Sequence, residues 1–387
     1  MTARRWILFL LIASLILQMG CWDIKSIQDV NYFTGIGIDY KNGKYELFVQ
    51  QLDFSNLAKS EGGKTDKPGS IWIGHASGVS VAEAVDELYQ SSQQLVFWGH
   101  VGVVLLSENV LKHDKLLQLF DALNRSREIR YTPWIYGTKS AIPDIFTTEP
   151  FFNLSPLNSI LFAPERNYRQ RSHIPSIRNQ RFFRELRDPG TTLLLPSINI
   201  ETSTWSRNRK ADPKLTIDGY FVLRSNAYKG WFSEWETTGL RWIESRNAET
   251  RLVLKEQGHP LATVVFHNPS PKIRIAVKNG KPEYTFELRL KGRINELWKP
   301  VTKMQLEQKT KEAVRQEIES AFRTGHARKA DLFRLEHQLY RRRFRAWKDL
   351  TDEGRQEALP ERLAGIQVEV RIEEVGMFKL YRKHQAY

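Results

Sequence analysis

One run of apolar residues, Trp6–Leu17, opens the chain behind Arg4 and Arg5, and the only cysteine among 387 residues, Cys21, stands just beyond it. With a single thiol the fold has no internal disulfide and no cysteine-rich zinc site to rely on. A bilayer-spanning helix needs about 20 apolar residues, more than this run supplies. No later segment comes near that length. Everything beyond Cys21 must therefore hold together by burying a core of its own. The composition allows this: 41% of residues are hydrophobic, and 11 Trp, 13 Tyr and 20 Phe exclude a disordered chain.

A basic start, a short apolar stretch and small residues near a cut point read as an export signal over residues 1–20. Cys21 directly after Gly20 resembles a bacterial lipobox, in which the thiol takes up a diacylglyceryl group and the chain is cut before the cysteine. Cys21 is thus the expected lipidation site and Gly20 the residue at the cut. The Leu usual three residues before the cysteine is displaced: Gln18 holds that place, and Leu17 precedes it. The plainer reading is an uncleaved signal anchor with an incidental cysteine.

Strand and helix patterns alternate after Cys21. Val30–Asp39 and Tyr45–Asp53 read as strands joined at Asn42-Gly43, and Ile71–His75 as another. Ser55–Ser70 is a polar loop. Ser80 and Glu83 have capping-box spacing ahead of a helical face of Val81, Ala84, Val85 and Leu88. Val101–Leu106 reads as a buried strand, with Ser107 capping a helix through Leu111, Leu116, Leu119 and Leu123. Trp134–Gly137 is a short strand, followed by a helix over Ser140–Phe146. From Pro150 to Pro213 prolines and arginines recur; Asn179–Leu186 is helical, and the stretch reads as a partly ordered connection. Arg178, Arg181 and Arg184 have the spacing of one helical stripe.

Leu215–Arg224, Gly230–Phe232 and Leu261–His267 read as strands, and Thr238–Asn247 as a helix. Lys272–Lys278 and Glu283–Lys291 flank Asn279-Gly280 as a second hairpin. Val301–Phe322 is a helix that Gly325 closes; a second runs over Ala327–Leu350, and Ile366–Val375 is a last strand. The expected class is α+β and multi-domain, with mixed sheets, packed helices, and two long helices against a sheet in the C-terminal domain. The expected division is a signal over 1–20, an N-terminal domain over 21–205, of one or two lobes and including a Pro/Arg-rich segment over 150–205, and a C-terminal domain over 206–387.

No residue set recommends an enzyme. There is no pair of histidines at helical i, i+4 spacing, no nucleophile elbow, and no metal site is expected. Gly63-Lys64-Thr65 has the ending of a phosphate-binding loop, but Ala58 stands where its first glycine belongs. Gly35-Ile36-Gly37 is two-thirds of a dinucleotide fingerprint with Tyr40 at the third place; those glycines read as a strand kink or close backbone packing. His100 reads as a structural histidine. Lys and Arg outnumber Asp and Glu by 58 to 44, a formal net charge of +14, which favours anionic partners. Within that surplus, Arg341, Arg342, Arg343 and Arg345 are candidate contacts to an anionic surface. The bland alternative is a solvated helix face paired to acids such as Glu336 and Asp349. An exported protein does not meet DNA, so lipid headgroups, not nucleic acid, are the expected anions.

Taken together, several segments resemble the Ger(x)C family, the C subunits of spore-germination receptors in endospore-forming bacteria. They are Cys21-Trp22-Asp23 after the signal, Gly35-Ile-Gly-Ile-Asp39, Leu95-Val-Phe-Trp-Gly-His100, the strand Val101–Ser107 and Arg127-Glu-Ile-Arg130. Further along come Gly219-Tyr-Phe-Val222 with Gly230-Trp231, then Gly292-Arg-Ile-Asn-Glu296 and the final strand to Val375-Gly376. Where the family carries an Asp-apolar-Phe-Gly element, this chain reads Asp331-Leu-Phe-Arg334. The resemblance implies a non-enzymatic, palmitate-bearing lipoprotein on the outer face of the spore's inner membrane. It would need no cofactor and would work beside integral-membrane A and B subunits in germinant sensing. The competing readings are a lipid-anchored binding protein for a small molecule or wall polymer, and an extracellular enzyme whose site assembles from distant residues.

Overall fold

The computed structural model describes Trp6 and residues 30–52, 70–113, 116–119, 130–171, 173–244, 249–352, 358–361 and 363–373. Strands β1 (Val30–Lys41) and β2 (Lys44–Leu52) form the hairpin expected at Asn42-Gly43, both turn residues having positive φ, 52° and 80°. That turn matches the strands' right-handed twist. β3 (Ile71–Gly78) adds antiparallel to β2. The polar loop expected over 55–70 lies, Ser70 apart, outside the described residues. Ser80 Oγ caps α1 (Val81–Gln90) by accepting from Glu83 N at 3.2 Å, while the Glu83 carboxylate reaches Val79 N at 2.7 Å.

Three-residue β4 (Leu95–Phe97) runs parallel to the start of β1, and β5 (Val103–Ser107) parallel to its middle. β5 is buried at every position, as its unbroken apolar run requires. Ser107 caps α2 (Glu108–Lys112), accepting from Val110 N at 3.2 Å. Residues 116–119 are again helical, while the expected continuation to Leu123 lies outside the described residues. β6 (Trp134–Thr138) is parallel to β5, and α3 (Ile142–Thr147) folds back beneath the sheet. Gly35 and Gly37 are what let it approach. A Cβ on Gly37 would lie 2.3 Å from Ile142 Cγ2, and one on Gly35 2.8 Å from Phe146 Cε1. The glycine pair therefore serves close packing. His100 sets its ring edge against Tyr32 at 4.9 Å.

The Pro/Arg-rich stretch is not a loose connection. It holds α4 (Pro164–Gln170), β7 (Ile177–Arg178), α5 (Asn179–Arg187) and β8 (Thr192–Glu201), whose Leu193, Leu194, Leu195 and Ile198 are core residues. Arg178 belongs to β7, not to the helix, so the expected arginine stripe loses its first member. Beyond the small hairpin β9 (Ser206–Arg207) and β10 (Lys210–Ala211), β11 (Lys214–Arg224) pairs antiparallel to β8, and β12 (Ala227–Ser233) to β11. The ten-stranded sheet runs β12-β11-β8-β6-β5-β1-β2-β3, with β4 on β1 and β7 on β6. The expected division at 205 falls between β8 and β11, and strand pairing continues across it.

The second sheet has four strands in sequence order: β13 (Glu249–Glu256), β14 (His259–Lys278), β15 (Lys281–Leu297) and β16 (Leu363–Glu373). β13 escaped the sequence reading although Thr250, Leu252 and Leu254 alternate inward. The short α6 (Arg241–Glu244) precedes it. The long helix α7 (Lys303–Ala327) starts at a capping box of Thr302 and Gln305 and buries Leu306, Val314, Ile318 and Ala321. Gly325 does not close α7. It is buried within the last turn, where its carbonyl accepts from Ala330 N at 2.8 Å, and a Cβ there would lie 2.6 Å from Ala330 O.

The second long helix expected over Ala327–Leu350 is instead broken. The chain turns inward to bury Ala330, Leu332 and Phe333, then forms α8 (Leu335–Arg342) and α9 (Phe344–Leu350), split at the non-helical Arg343. Burying those apolar side chains outweighs helical continuity. One core cluster joins Leu194, Tyr220, Val222 and Phe232 of the large sheet to Trp242, Phe266, Phe286, Ile318 and Leu335. The α+β class holds, with the two sheets sharing this core.

Candidate functional site

The predicted basic residues lie at the α8–α9 joint, and that joint is held from within. Glu336 is buried and pairs with Arg224 of β11 at 2.5 Å, the two side chains 3% and 1% exposed. Trp347 of α9 donates to the same carboxylate at 3.3 Å, and Asp331 Oδ2 accepts from Glu336 N at 2.8 Å. Burial raises the Asp331 pKa, against hydrogen bonds from the Glu336 and Leu335 amides. Arg334 donates to Thr192 O at 3.1 Å and lies 3.4 Å from Glu185, while His337 Nδ1 meets Thr191 Oγ1 at 2.9 Å. Helix α8 is thereby fastened to the large sheet at the start of β8.

Glu336 is thus not the partner of the arginine cluster. Among the described residues no carboxylate pairs with Arg341, Arg343 or Arg345, all of them exposed, whereas Arg342 Nη1 donates to Ile273 O at 2.6 Å. A groove of about 840 Å3 separates α8 from α5. Arg181, Arg184, Arg334 and Arg341 line it against Glu185 and Asp188, so it is basic on balance. Arginines at least 150 residues apart in sequence meet across it. Arg343 and Arg345 lie outside its lining, and Arg178 rests instead over the Trp134 ring at 3.4 Å. Cys21 and Gly20 lie outside the described residues.

An apolar surface that periodicity does not reveal surrounds Phe152. This side chain is 91% exposed, and its backbone is left-handed, φ 57°, as is that of Asn153. Such a conformation is costly for an aromatic residue and points to a functional constraint. Its neighbour Phe151 sets its ring edge on Trp205 at 4.8 Å, with Lys214 Nζ above Phe151 at 4.9 Å. Leu154 and Trp205 are also half exposed. Only the order of Pro150, Phe151 and Phe152 in a proline-rich stretch hinted at it.

The carboxyl ends of β1 and β5 and the start of α2 carry a polar network that the sequence reading also missed. Asp39 accepts from Ser107 Oγ, from Asn109 Nδ2 at 3.1 Å and from Tyr40 N at 2.8 Å, and pairs with Lys41 at 2.8 Å. Burial raises its pKa, but these bonds outweigh burial and hold it below the ordinary Asp value. The Asp39 carboxylate is thus fully engaged by its neighbours, which suits a structural clasp. Among the described residues no group of three His, Cys, Asp or Glu side chains is arranged to hold a metal, and no helix is long and apolar enough to cross a membrane.

A further polar link joins the segment before β7 to the β12–α6 connection. Glu234 accepts from Arg171 at 2.8 and 2.5 Å and meets His173 Nδ1 at 2.5 Å. Burial alone would raise its pKa; the His173 and Arg171 bonds bring it down to about 2. A lowered carboxylate pKa contributes stability that is complete above the unfolded value, near 4.3, and lost as pH falls through about 2. Partial exposure of Arg171 screens the pair, so Glu234→Gln is expected to cost only about 1–2 kcal/mol at neutral pH. Urea unfolding at a series of pH values should show that difference shrinking from pH 5 towards pH 2; a constant difference would count against the link.

Two family models cover most of the chain. The "Spore germination protein N-terminal domain" matches residues 23–200, and the "Spore germination B3/ GerAC like, C-terminal" model matches 218–376. The chain is 23% identical to Spore germination protein KC of Bacillus subtilis (strain 168), over 97% of each chain. It is 25% identical to Spore germination protein B3 of the same organism, covering 72% of this chain and 71% of that one. The crystal structure of the GerBC protein superposes with a TM-score of 0.55 at 18% identity, over 88% of this chain and 97% of that one, which shows a shared fold. Matches in both halves, in the order the sequence resemblance predicts, place this chain in the Ger(x)C family of spore germination proteins.

Proposed function

We propose that the chain is the lipid-anchored C-type subunit of a spore nutrient germinant receptor, acting by contact and without catalytic turnover. The observation that carries this reading is the similarity to Spore germination protein KC, which covers 97% of each chain. In this reading residues 1–20 leave as a signal and Cys21 carries the acyl chains, palmitate among them. The body then sits on the outer face of the spore's inner membrane, beside integral-membrane A and B subunits. The surface around Phe152 and Trp205 supports the contact part, because strained, exposed aromatic residues suit a protein partner. The exposed Arg341, Arg343 and Arg345 are assigned to anionic surfaces, with Arg342 contributing through its position on Ile273 O.

Deleting this gene alone and challenging the spores with a panel of nutrients tests the reading. Loss of the response to particular nutrients, with other triggers intact, is the expected result. Persistence of every response without a compensating paralogue sinks the receptor assignment. Consumption of a germinant by the purified, metal-free protein sinks the non-catalytic part.

A further inference from the structure

We infer that the end of the large sheet at which β1 begins rests on the membrane, with Leu95, Phe97 and Tyr131 at the lipid interface and Arg130 and Arg178 at the anionic headgroups. The inference rests on the reading of Cys21 as the lipid anchor and adds an orientation to it. Nine residue-to-residue steps lead from Cys21 to Val30, the first residue of β1. Fully extended they reach at most about 32 Å. β1 has 12 residues and carries its far end, the Asn42-Gly43 turn, roughly 40 Å from Val30. The tether therefore bounds the Val30 end to within its own reach of the bilayer and sets no such bound on the opposite end, so the Val30 end is the one favoured for contact.

Three strands bring the relevant side chains to that end. Leu95 lies in register with Val30, and Phe97 with Tyr32. Gly35 faces Val103, which faces Trp134, so Tyr131, three residues before Trp134, is about level with Tyr32. Leu95 and Tyr131 are 55% and 56% exposed, and Phe97 is partly so. Exposed aromatic and aliphatic side chains beside cations are what a headgroup boundary accommodates. Arg130 is exposed; Arg178 lies over Trp134, donates to Thr132 O at 2.7 Å, and has Glu165 no nearer than 4.0 Å. No Asp or Glu occurs in residues 30–38, 91–107 or 130–143, so the segments that carry Leu95, Phe97 and Tyr131 bring no carboxylate of their own; the acidic groups at this end are Glu165 near Arg178 and Glu185 and Asp188 in the adjoining groove, where arginines outnumber them. The groove bearing Arg184 and Arg341 includes Thr191, beside the first residue of β8, at the same end of the parallel strands.

The test uses the full, lipidated chain in vesicles of phosphatidylglycerol and phosphatidylethanolamine. Acylation blocks Cys21, so an environment-sensitive nitrobenzoxadiazole label attaches only at an introduced cysteine. A label on Leu95→Cys is expected to shift to the blue and to be quenched by nitroxide-bearing lipids. A label on Lys44→Cys, beside the far turn, is expected to do neither. If the chain floats with the vesicles while both labels remain in water, or the Lys44 label is the one quenched, the orientation is wrong and the anchor stands. If the chain does not float at all, the anchor reading itself fails. A blue shift at Leu95 that needs co-reconstituted membrane subunits assigns this end to a protein partner and overturns the lipid contact.

Discussion

Glu336→Ala is expected to cost about 3–5 kcal/mol of folding stability, since it leaves the Arg224 guanidinium buried without its carboxylate. The same change removes the acceptor for the Trp347 indole, so the loss extends from α8 to α9. Arg224 stands opposite Thr192 at the end of β11, so the pair ties the large sheet to the segment that follows α7. Replacing both partners by apolar side chains of similar volume, Arg224→Met with Glu336→Leu, is expected to restore most of the loss, because neither charge of the pair then remains to be desolvated, while Asp331 keeps its bonds from the Glu336 and Leu335 amides. Urea unfolding followed by tryptophan fluorescence separates the outcomes. A Glu336→Ala chain that unfolds with the wild type would show that the pair contributes nothing. A double variant as weak as the single one would show that packing, rather than the stranded charge, is responsible.

Cys21→Ala is expected to abolish stable membrane attachment, leaving the chain soluble or held as a precursor that retains residues 1–20. Two acyl chains hold a protein on a bilayer durably where one gives only reversible binding. The surplus of basic residues adds attraction to an anionic surface, but salt screens that term and it does not replace the lipid. Intact-mass measurement of the wild-type chain checks the premise: the mature form should begin at Cys21 and carry the mass of the lipid. An unmodified, uncleaved chain would remove the basis for both the anchor and the membrane orientation.

Local rules were legible wherever a few neighbouring residues decide the outcome. Asn42-Gly43 and Asn279-Gly280 specify their hairpins because both positions need positive φ, and both pairs adopt it. Ser80 and Ser107 cap their helices as their spacing requires. What failed were inferences that extend a local pattern through a place where burial intervenes. The helical spacing of Leu332, Leu335, Leu339 and Trp347 suggests one helix, yet Ala330 to Phe333 are drawn into the core between two helices. The reversal needs a left-handed residue at 334, the position where the family element has glycine; Arg334 takes φ 53° and is held there by Thr192 O and Glu185. Likewise β8 lay hidden in a stretch whose prolines and arginines suggested a linker, because pairing with β6 and β11 is a property of distant residues.

By itself the sequence offered a single candidate anchor position, Cys21, with no second apolar run to compete with it, and determined that the remainder is an α+β body built from hairpins and capped helices. Only the tertiary structure decided that the arginines of α5 and α8 share a groove, that Glu336 turns inward to Arg224 instead of pairing outward, and that Phe152 projects from a strained turn. The physical reason is range. Turn and cap preferences act over three or four residues and can be read in order, whereas the burial of a charge or the exposure of an aromatic ring depends on side chains that only the folded chain brings together.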